Sequence, residues 1–190
     1  MNIQKYQQHV TRTFPDLGSK LLNSIHCVLG IGSELLEEAT KAMLSGDKVN
    51  LGEELADALW YACNYATIHK IKLPEKIDCL DPKDTTAKEA EVYYQNLNIC
   101  MGKLMDLDKR ELAYGKLLGD ESARVKILFD FISAIEYVAL ENGIRMSEYR
   151  DKVIKKLLLR YPVAEGFTVD RAVNRDLKSE RTILEGKEAA

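Results

Sequence analysis

The sequence predicts an all-α fold, and three observations support this prediction. Apolar residues recur every three to four positions over long segments, which is the spacing of one helix face. No segment shows the clear alternation of apolar and polar residues that half-buried strands require. Only four prolines interrupt the 190 residues. We therefore expect one helical domain spanning residues 1–190, a length that can bury a sizeable core.

Charge and cysteine usage exclude several classes of partner. The formal net charge is -3 and the isoelectric point is about 5.7, whereas a nucleic-acid-binding protein is expected to carry a basic surface. No apolar run is long enough to span a bilayer, and the N-terminus is too polar for a signal peptide. The four cysteines lack metal-ligand spacing and read as reduced core residues. We expect a cytoplasmic protein without nucleic-acid or membrane partners.

The first half of the chain predicts a short helix and then a helical hairpin. Pro15 ends the short helix, because the residue before a proline disfavours helical geometry. A polar break at 45–47 separates the two long helices, and Asn50 with Glu53 resembles a capping box that begins the second of them. Gly30 and Gly32 predict either space beside a site or close helix packing. The predicted helices cover residues 2–13, about 16–44 and about 50–69.

The second half predicts another hairpin followed by two terminal helices. Gly143 provides a stop for the hairpin, and a break is expected near 106–108. Ser147 and Thr168 are the predicted N-caps of the terminal helices. The predicted helices cover residues about 86–118, 120–142, 147–160 and 168–185.

Two acidic pairs organise the first hairpin. Glu34 and Glu37 are three residues apart in one helix, and Glu54 and Asp57 are three apart in the next. Residues with this spacing share a helix face, so two packed helices can direct four carboxylates to one point. Oxygen ligands in this number suit Mg²⁺, with Mn²⁺ as an alternative. Periodicity alone leaves a second interpretation open for Glu34, Glu37 and Glu38, namely a solvated helix face.

Two segments of the chain align without gaps at low identity, and their equal length and shared Gly-Asp break favour an internal duplication over a coincidence between two helical hairpins. Segment 46–71 aligns with segment 119–144. The duplication predicts a four-helix-bundle core made of an active half (about 16–72) and a degenerate half (about 86–144), with C-terminal helices over 147–186. In the degenerate half only Asp130 is kept, so we expect one site per chain. The matched pairs include Leu55 with Leu128, Asp57 with Asp130, and Ala66 with Ala139; Leu107, Arg110 and Ile127 replace Glu34, Glu37 and Glu54.

The acidic pairs and their neighbours resemble the MazG-like nucleoside triphosphate pyrophosphohydrolases of the all-α NTP pyrophosphatase superfamily. The family pattern is EExxE, a gap, and ExxD; here Ser33 replaces the first glutamate. The resemblance is good over residues 26–65, fair over 150–185 and thin between them. It is carried by LGIGSELLE at 29–37, ELADALWY at 54–61, KLLLRYP at 156–162, Phe167 and NRD at 174–176.

This resemblance implies a chemistry and roles for named residues. The family cleaves a nucleoside triphosphate between its α and β phosphorus atoms, giving monophosphate and pyrophosphate. The implied Mg²⁺ ligands are Glu34, Glu37, Glu54 and Asp57, and the implied general base is Glu37 or Glu38. The implied substrate contacts are Lys156, Arg160, Asn64, Tyr61, Trp60, Asn174 and Arg175.

Other interpretations of the same residues remain open at the level of sequence. Lys156 and Arg160 also fit ordinary cations near a helix C-terminus, and Trp60 also fits a core residue. His26 could approach the site, but a structural role is favoured. The rival functions are a dUTPase, dCTPase or phosphoribosyl-ATP pyrophosphohydrolase of the same superfamily, or a catalytically inactive scaffold. Because family members commonly assemble, we expect a homodimer.

Overall fold

In a computed structural model of the protein, the described residues are 1–115, 121–163 and 166–187. Within these ranges the secondary structure is helical and contains no strand, which confirms the all-α prediction. The helices are α1 (Ile3–Val10), α2 (Lys20–Ser33), α3 (Thr40–Ser45), α4 (Lys48–Ile68), α5 (Ala87–Tyr114), α6 (Glu121–Glu141), α7 (Met146–Arg160), α8 (Val169–Val173) and α9 (Leu177–Leu184).

The segment between α2 and α3 is π-helical over Glu34–Ala39. Backbone dihedrals on both sides of it stay in the right-handed helical region, so α2, this π segment and α3 form one continuous rod. The predicted helix over about 16–44 is therefore confirmed as a rod, but not as a regular α-helix. A π segment widens the turn, because its hydrogen bonds span five residues instead of four.

The turn between α3 and α4 corrects the predicted helix start. Gly46 ends α3 in the left-handed conformation, with φ 71°. The Asp47 side chain then accepts hydrogen bonds from the amides of Val49 and Asn50 at 3.1 and 3.0 Å. Asp47 is thus the N-cap, and α4 begins at Lys48. The predicted capping box at Asn50 is wrong, because a carboxylate three residues earlier already takes these amides.

The second hairpin consists of α5 and α6, which pack against each other. Thr86 caps α5 with a complete capping box to Glu89. The break expected at 106–108 does not occur, and α5 runs unbroken to Tyr114. Asp108 is buried there beside Arg124, so its polarity marks an internal ion pair and not a helix end. The predicted helix ends at 118 and 120 lie outside the described residues.

The terminal helices match the prediction in part. Arg145 precedes α7 without a side-chain cap, so the predicted cap at Ser147 is wrong. Thr168 caps α8 as predicted, because its hydroxyl oxygen accepts from the Arg171 amide. The single helix expected over 168–185 is two helices, since Asp176 begins a new helix by accepting from the Ser179 amide.

Helix α4 lies at the centre of the fold. It packs against α1, α2, α6 and α7 as well as the π segment, and a core helix enclosed on several sides is expected to be apolar nearly all round. Its apolar face is buried, and Cys27, Cys63 and Cys100 are buried free thiols. Among the described helices, none combines the length and apolar character needed to cross a membrane. The buried core face consists of Leu51, Leu55, Ala58, Leu59, Ala62 and Ala66.

Candidate active site

A cavity with a volume of about 590 Å³ lies beside the acidic segment. Its walls come from the π segment, α4, the end of α7 and the chain that follows α7. This volume falls in the range of small-molecule sites. Its lining residues are Thr13, Pro15, His26, Glu34, Glu38, Glu53, Glu54, Asp57, Trp60, Tyr61, Lys156, Leu157, Arg160, Tyr161, Phe167, Ala172 and Arg175.

The π segment changes which glutamates face this cavity. Glu34 and Glu38 line it, whereas Glu37 does not. The Glu37 side chain is 64% exposed and accepts a hydrogen bond from Lys41 at 2.7 Å. In an α-helix Glu34 and Glu37 would share a face. Glu38, four residues after Glu34, would lie on that face as well. The wider π turn keeps Glu38 beside Glu34 but turns Glu37 away, so the structure does not place Glu37 with the other predicted metal ligands.

Helix α4 supplies three carboxylates to the cavity, and Lys156 lies between two of them. The Lys156 Nζ donates to Asp57 Oδ2 at 2.6 Å and to Glu53 Oε1 at 3.0 Å. Lys156 is only 1% exposed, so this ammonium depends on its two acidic partners. Glu53, assigned to helix capping from the sequence, instead belongs to the cavity.

Glu34 and Glu54 form a carboxyl–carboxylate pair. Burial, the hydrogen bond that Glu54 donates to Glu34, and the charges of Asp57 and Glu53 together raise the pKa of Glu54 to about 9. Burial and the charge of Asp57 also raise the pKa of Glu34. One proton is therefore held between them at neutral pH. This side of the cavity carries more carboxylate groups than Lys156 alone compensates.

The cavity lining also contains two arginines that share one glutamate. Arg160 donates two hydrogen bonds to Glu180, at 2.8 and 2.7 Å. Arg175 donates to the same carboxylate at 3.1 and 2.7 Å, and Glu180 is 3% exposed. Two guanidinium groups around one carboxylate leave a net positive charge here. The neighbouring Asn174 does not line the cavity, because its side chain is exposed and donates to Asp170 at 2.8 Å.

Aromatic side chains form a third wall. The Trp60 and Tyr61 rings meet edge to face with centroids 4.8 Å apart, and Tyr161 and Phe167 lie 5.6 Å apart. Trp60 is 9% exposed and its indole donates to the Thr13 hydroxyl at 3.2 Å. Trp60 is thus both a core residue and part of this wall.

The Tyr61 ring explains why a glycine stands at position 30 of α2. A Cβ built on Gly30 would lie 2.3 Å from the Tyr61 ring, so Gly30 gives this ring its place beside the carboxylates. Gly30 therefore has both predicted roles, since it leaves space beside the site and allows close packing of the Tyr61 ring.

Asn64, a predicted substrate contact, does not line the cavity. It is buried, and its side chain donates to the Trp60 carbonyl at 2.9 Å.

The sequence also left several lining residues unassigned. Glu53 could have been found from its i,i+4 spacing to Asp57, which brings both carboxylates to the same cation. His26 lines the cavity against Phe14 and Tyr61, and burial lowers its pKa. Thr13 and Pro15 belong to no sequence motif. They lie in the chain before α2, and tertiary packing brings them to the cavity.

The carboxylates fit a hard divalent cation in chemistry, since oxygen donors are what Mg²⁺ prefers. Within the described residues, however, no three His, Cys, Asp or Glu side chains converge into a ready coordination set. Lys156 instead engages Asp57 and Glu53, and Glu34 engages Glu54. Binding of an ion would therefore have to replace the proton shared by Glu34 and Glu54 and draw these side chains together.

Comparisons of the chain with protein-family models, with curated proteins and with solved structures find no match. Any functional inference therefore depends on the residues of the cavity and on the sequence motifs that they carry. The resemblance to MazG-like enzymes remains a hypothesis that these motifs support.

Proposed function

We propose that this protein hydrolyses a nucleoside triphosphate, ribo- or deoxyribo-, to the monophosphate and pyrophosphate in a Mg²⁺-dependent reaction. The observation that carries this proposal is one cavity with a carboxylate-rich side, a cationic side and an aromatic wall. A nucleotide has the matching parts: a phosphate chain that binds cations and a flat base that packs on aromatic rings.

Glu34, Glu54 and Asp57 are the proposed Mg²⁺ ligands, because all three line the cavity. The bound ion would neutralise phosphate oxygens and lower the pKa of a water that attacks the α-phosphorus. Glu54 must release its proton to become a ligand, so affinity for the ion is expected to rise with pH. Lys156 holds Asp57 and Glu53 in place by its two hydrogen bonds.

Glu38 is the proposed acceptor of the proton from the attacking water. Glu38 lines the cavity. Its side chain is partly exposed and accepts a hydrogen bond from Lys41 at 3.0 Å. Glu37, the alternative from the motif, faces solvent. A carboxylate outside the ligand set can act as a base when it is within reach of the water.

Arg160 and Arg175 are proposed to bind the outer phosphates, since their shared carboxylate balances only one of the two guanidinium charges. Trp60 and Tyr61 are proposed to pack against the base or sugar. The structure gives no contact that selects one base, so a dUTPase, dCTPase or phosphoribosyl-ATP activity is a variant of the same proposal.

The arrangement of α2, α4, α5 and α6 supports a bundle built by duplication. Helix α2 packs on α4 and α5, and α6 packs on α5 and α4, as two paired hairpins would. Exposed apolar side chains on the α2–α3 rod, including Leu29, Leu36 and Leu44, support a homodimer through this face. We propose the duplication, the dimer and a cytoplasmic location together with the activity.

The test is pyrophosphate release from a panel of NTPs and dNTPs, with Mg²⁺ and with EDTA. We expect Mg²⁺-dependent release with the monophosphate as co-product, and the preferred nucleotide names the substrate. Glu54→Gln removes a proposed ligand but matches the protonated side chain in shape. We expect it to lower turnover by about 100-fold or more, in line with loss of a group that stabilises the transition state.

Glu91→Gln provides the matched control, because Glu91 is exposed on α5 and far along the chain from the cavity. It should retain full activity. If Glu54→Gln is folded and turns over like the Glu91 variant, the proposed metal site is wrong. Circular dichroism of both variants shows whether helical content is preserved.

A binding protein without catalysis is the second candidate function. The outward position of Glu37 and the hydrogen bonds of Lys156 to Asp57 and Glu53 favour it, because both reduce the carboxylates open to an ion. Tight nucleotide binding with no pyrophosphate release from folded protein would establish this candidate.

A further inference from the structure

A second cavity lies at the other end of α4 and has a volume of about 250 Å³. His69, at its edge, follows Asp57 by twelve residues, which is roughly 18 Å along a helix. The two cavities share no lining residue. The second cavity is lined by His69, Lys70, Ile71, Lys72, Glu121, Arg124 and Val125.

Arg124 is the buried cation of this cavity, and its hydrogen-bonding capacity is only partly used. It is 1% exposed. Its Nη1 donates to Asp108 Oδ1 at 3.0 Å. Its Nε and Nη2 atoms find no hydrogen-bond partner in the described chain. A guanidinium has five N–H donors in a fixed fork, so more than half of this fork is left open.

The neighbours of Arg124 do not fill this open side. Glu111 Oε2 lies 3.9 Å from Nη2, which is too long for a hydrogen bond, and it is itself buried without a partner. Ser24 donates its single hydroxyl hydrogen to Asp108 at 2.7 Å. His69 Nε2, 2.8 Å from the same hydroxyl oxygen, must then donate to it. His69 therefore cannot also accept from Arg124.

Open donors on a buried cation are costly. A buried donor without a partner loses its hydrogen bonds to water and gains none in return, and the burial of Arg124 lowers its pKa to about 10. A ligand rich in acceptors would satisfy these donors. Lys70 and Lys72 add two exposed ammonium groups to the lining, while Glu121 is the one carboxylate among the lining residues.

We propose that this second cavity binds a small phosphate anion, inorganic phosphate or pyrophosphate. The open guanidinium fork of Arg124 offers the paired donors that phosphate oxygens prefer, and Lys70 and Lys72 add positive charge. The volume of about 250 Å³ lies below the usual range for larger organic ligands, which favours a small anion. This proposal does not depend on the hydrolysis proposed for the first cavity.

Histidine NMR distinguishes the two cavities in the full-length protein. His69 lines the second cavity and His26 lines the first, so each ring reports on one of them. Phosphate and pyrophosphate are titrated separately at constant ionic strength and pH with EDTA present, and the ring signals are assigned with His→Gln variants. We expect a saturable shift of the His69 signal with at least one of the two anions. A response of His26 alone, or no saturable response of His69 to either anion, overturns the proposal.

The double variant Lys70→Gln/Lys72→Gln tests the lining lysines without disturbing buried Arg124. Its matched control is Lys76→Gln/Lys88→Gln, which removes the same charge from exposed positions outside the lining residues. We expect about tenfold weaker anion binding in the first variant, since two charge-assisted contacts are lost, and no change in the control. Equal weakening in both variants would mean that only the overall charge matters, and would overturn the proposal.

Discussion

Asp57 in the first hairpin and Asp130 in the second are paired by the sequence alignment but lie in opposite environments. Asp57 pairs with Lys156, which is 1% exposed, at 2.6 Å. Asp130 pairs with Lys126, which is 75% exposed, also at 2.6 Å. The distances are equal, yet water screens only the second pair. The comparison shows that the chemistry of an acidic residue here depends on the cavity around it and not on the length of its ion pair.

The two hairpins also differ in how buried charge is balanced. The first cavity collects Glu34, Glu53, Glu54 and Asp57 around one lysine, and the pKa of Glu54 rises to about 9. In the second hairpin, Asp108 faces Arg124 directly, and burial raises the pKa of Asp108 only to about 6. An excess of carboxylates favours binding of a cation, whereas the open donors of Arg124 favour an anion.

The largest expected effect comes from removing the buried lysine. Lys156→Gln leaves Asp57 and Glu53 without a cation, and we expect it to destabilise the Mg²⁺-free protein by about 3 kcal/mol. This is the low end of the usual cost, because Asp57 is 24% exposed. Denaturant unfolding in EDTA measures it.

The matched control for this comparison is Lys126→Gln in the second hairpin. It removes an exposed ion pair between residues one helical turn apart, which water screens, so we expect little change in the free energy of unfolding. If Mg²⁺ binds the first cavity, adding it should restore part of the loss in Lys156→Gln and none in Lys126→Gln. Similar losses in both variants would break the comparison between the hairpins.

The pH dependence of stability separates the two regions. Because the pKa of Glu54 is raised above its unfolded value, the native state binds the extra proton, and stability falls as pH rises from about 4.5 towards 9. The pKa of Asp108 is raised to about 6, so Asp108 contributes a decrease in stability as pH rises towards about 6. Burial lowers the pKa of His69 to about 4, so His69 contributes an increase in stability as pH rises over nearly the same range. Asp108 and His69 together therefore contribute little net slope above pH 7.

We expect the unfolding free energy in EDTA to decrease between pH 7 and pH 8.5, and Glu54→Gln to flatten that decrease. Thermal or denaturant unfolding of both proteins at several pH values measures the difference. Parallel slopes in the two proteins would show that the proton is not held by Glu54.

The sequence predicted the helices because their apolar periodicity survives in the packed structure. Ala58 and Leu59 are fully buried, and Thr168 caps its helix as expected. The acidic and cationic walls of the first cavity were also predictable in part, since Glu34, Glu54 and Lys156 carry recognisable spacing. These are features that local sequence determines.

The features that the sequence did not predict depend on tertiary contacts or on a small change of helical register. The π segment turns Glu37 to solvent and leaves Glu38 lining the cavity, although both glutamates have similar sequence surroundings. Asp108 was interpreted as a break because its partner, Arg124, lies in another helix. Arg160 and Arg175 meet at Glu180 through the fold of the C-terminal chain, which no short motif encodes.

Replacing one glycine in each hairpin should change the stability by smaller amounts and in opposite directions. In Gly30→Ala the new Cβ would lie 2.3 Å from the Tyr61 ring, and we expect a loss of about 1–3 kcal/mol from overpacking. In Gly102→Ala nothing lies within 4 Å of the new Cβ, so the gain in helix propensity should stabilise by up to about 1 kcal/mol. Equilibrium unfolding of both variants measures the signs. A stabilising Gly30→Ala would mean that Tyr61 moves freely.

The finest comparison lies within the first hairpin, between two neighbouring glutamates. Motif spacing favours Glu37, whereas the π segment places Glu38 in the cavity and Glu37 against Lys41 in solvent. If Glu38 accepts the proton, Glu38→Gln should lower kcat by about tenfold or more relative to Glu37→Gln, since general-base catalysis contributes at least that much. Steady-state kinetics at saturating Mg²⁺ measure both variants. A larger loss in Glu37→Gln would mean that the segment returns to regular α-helical register when substrate and ion bind, because only that register turns Glu37 towards Glu34.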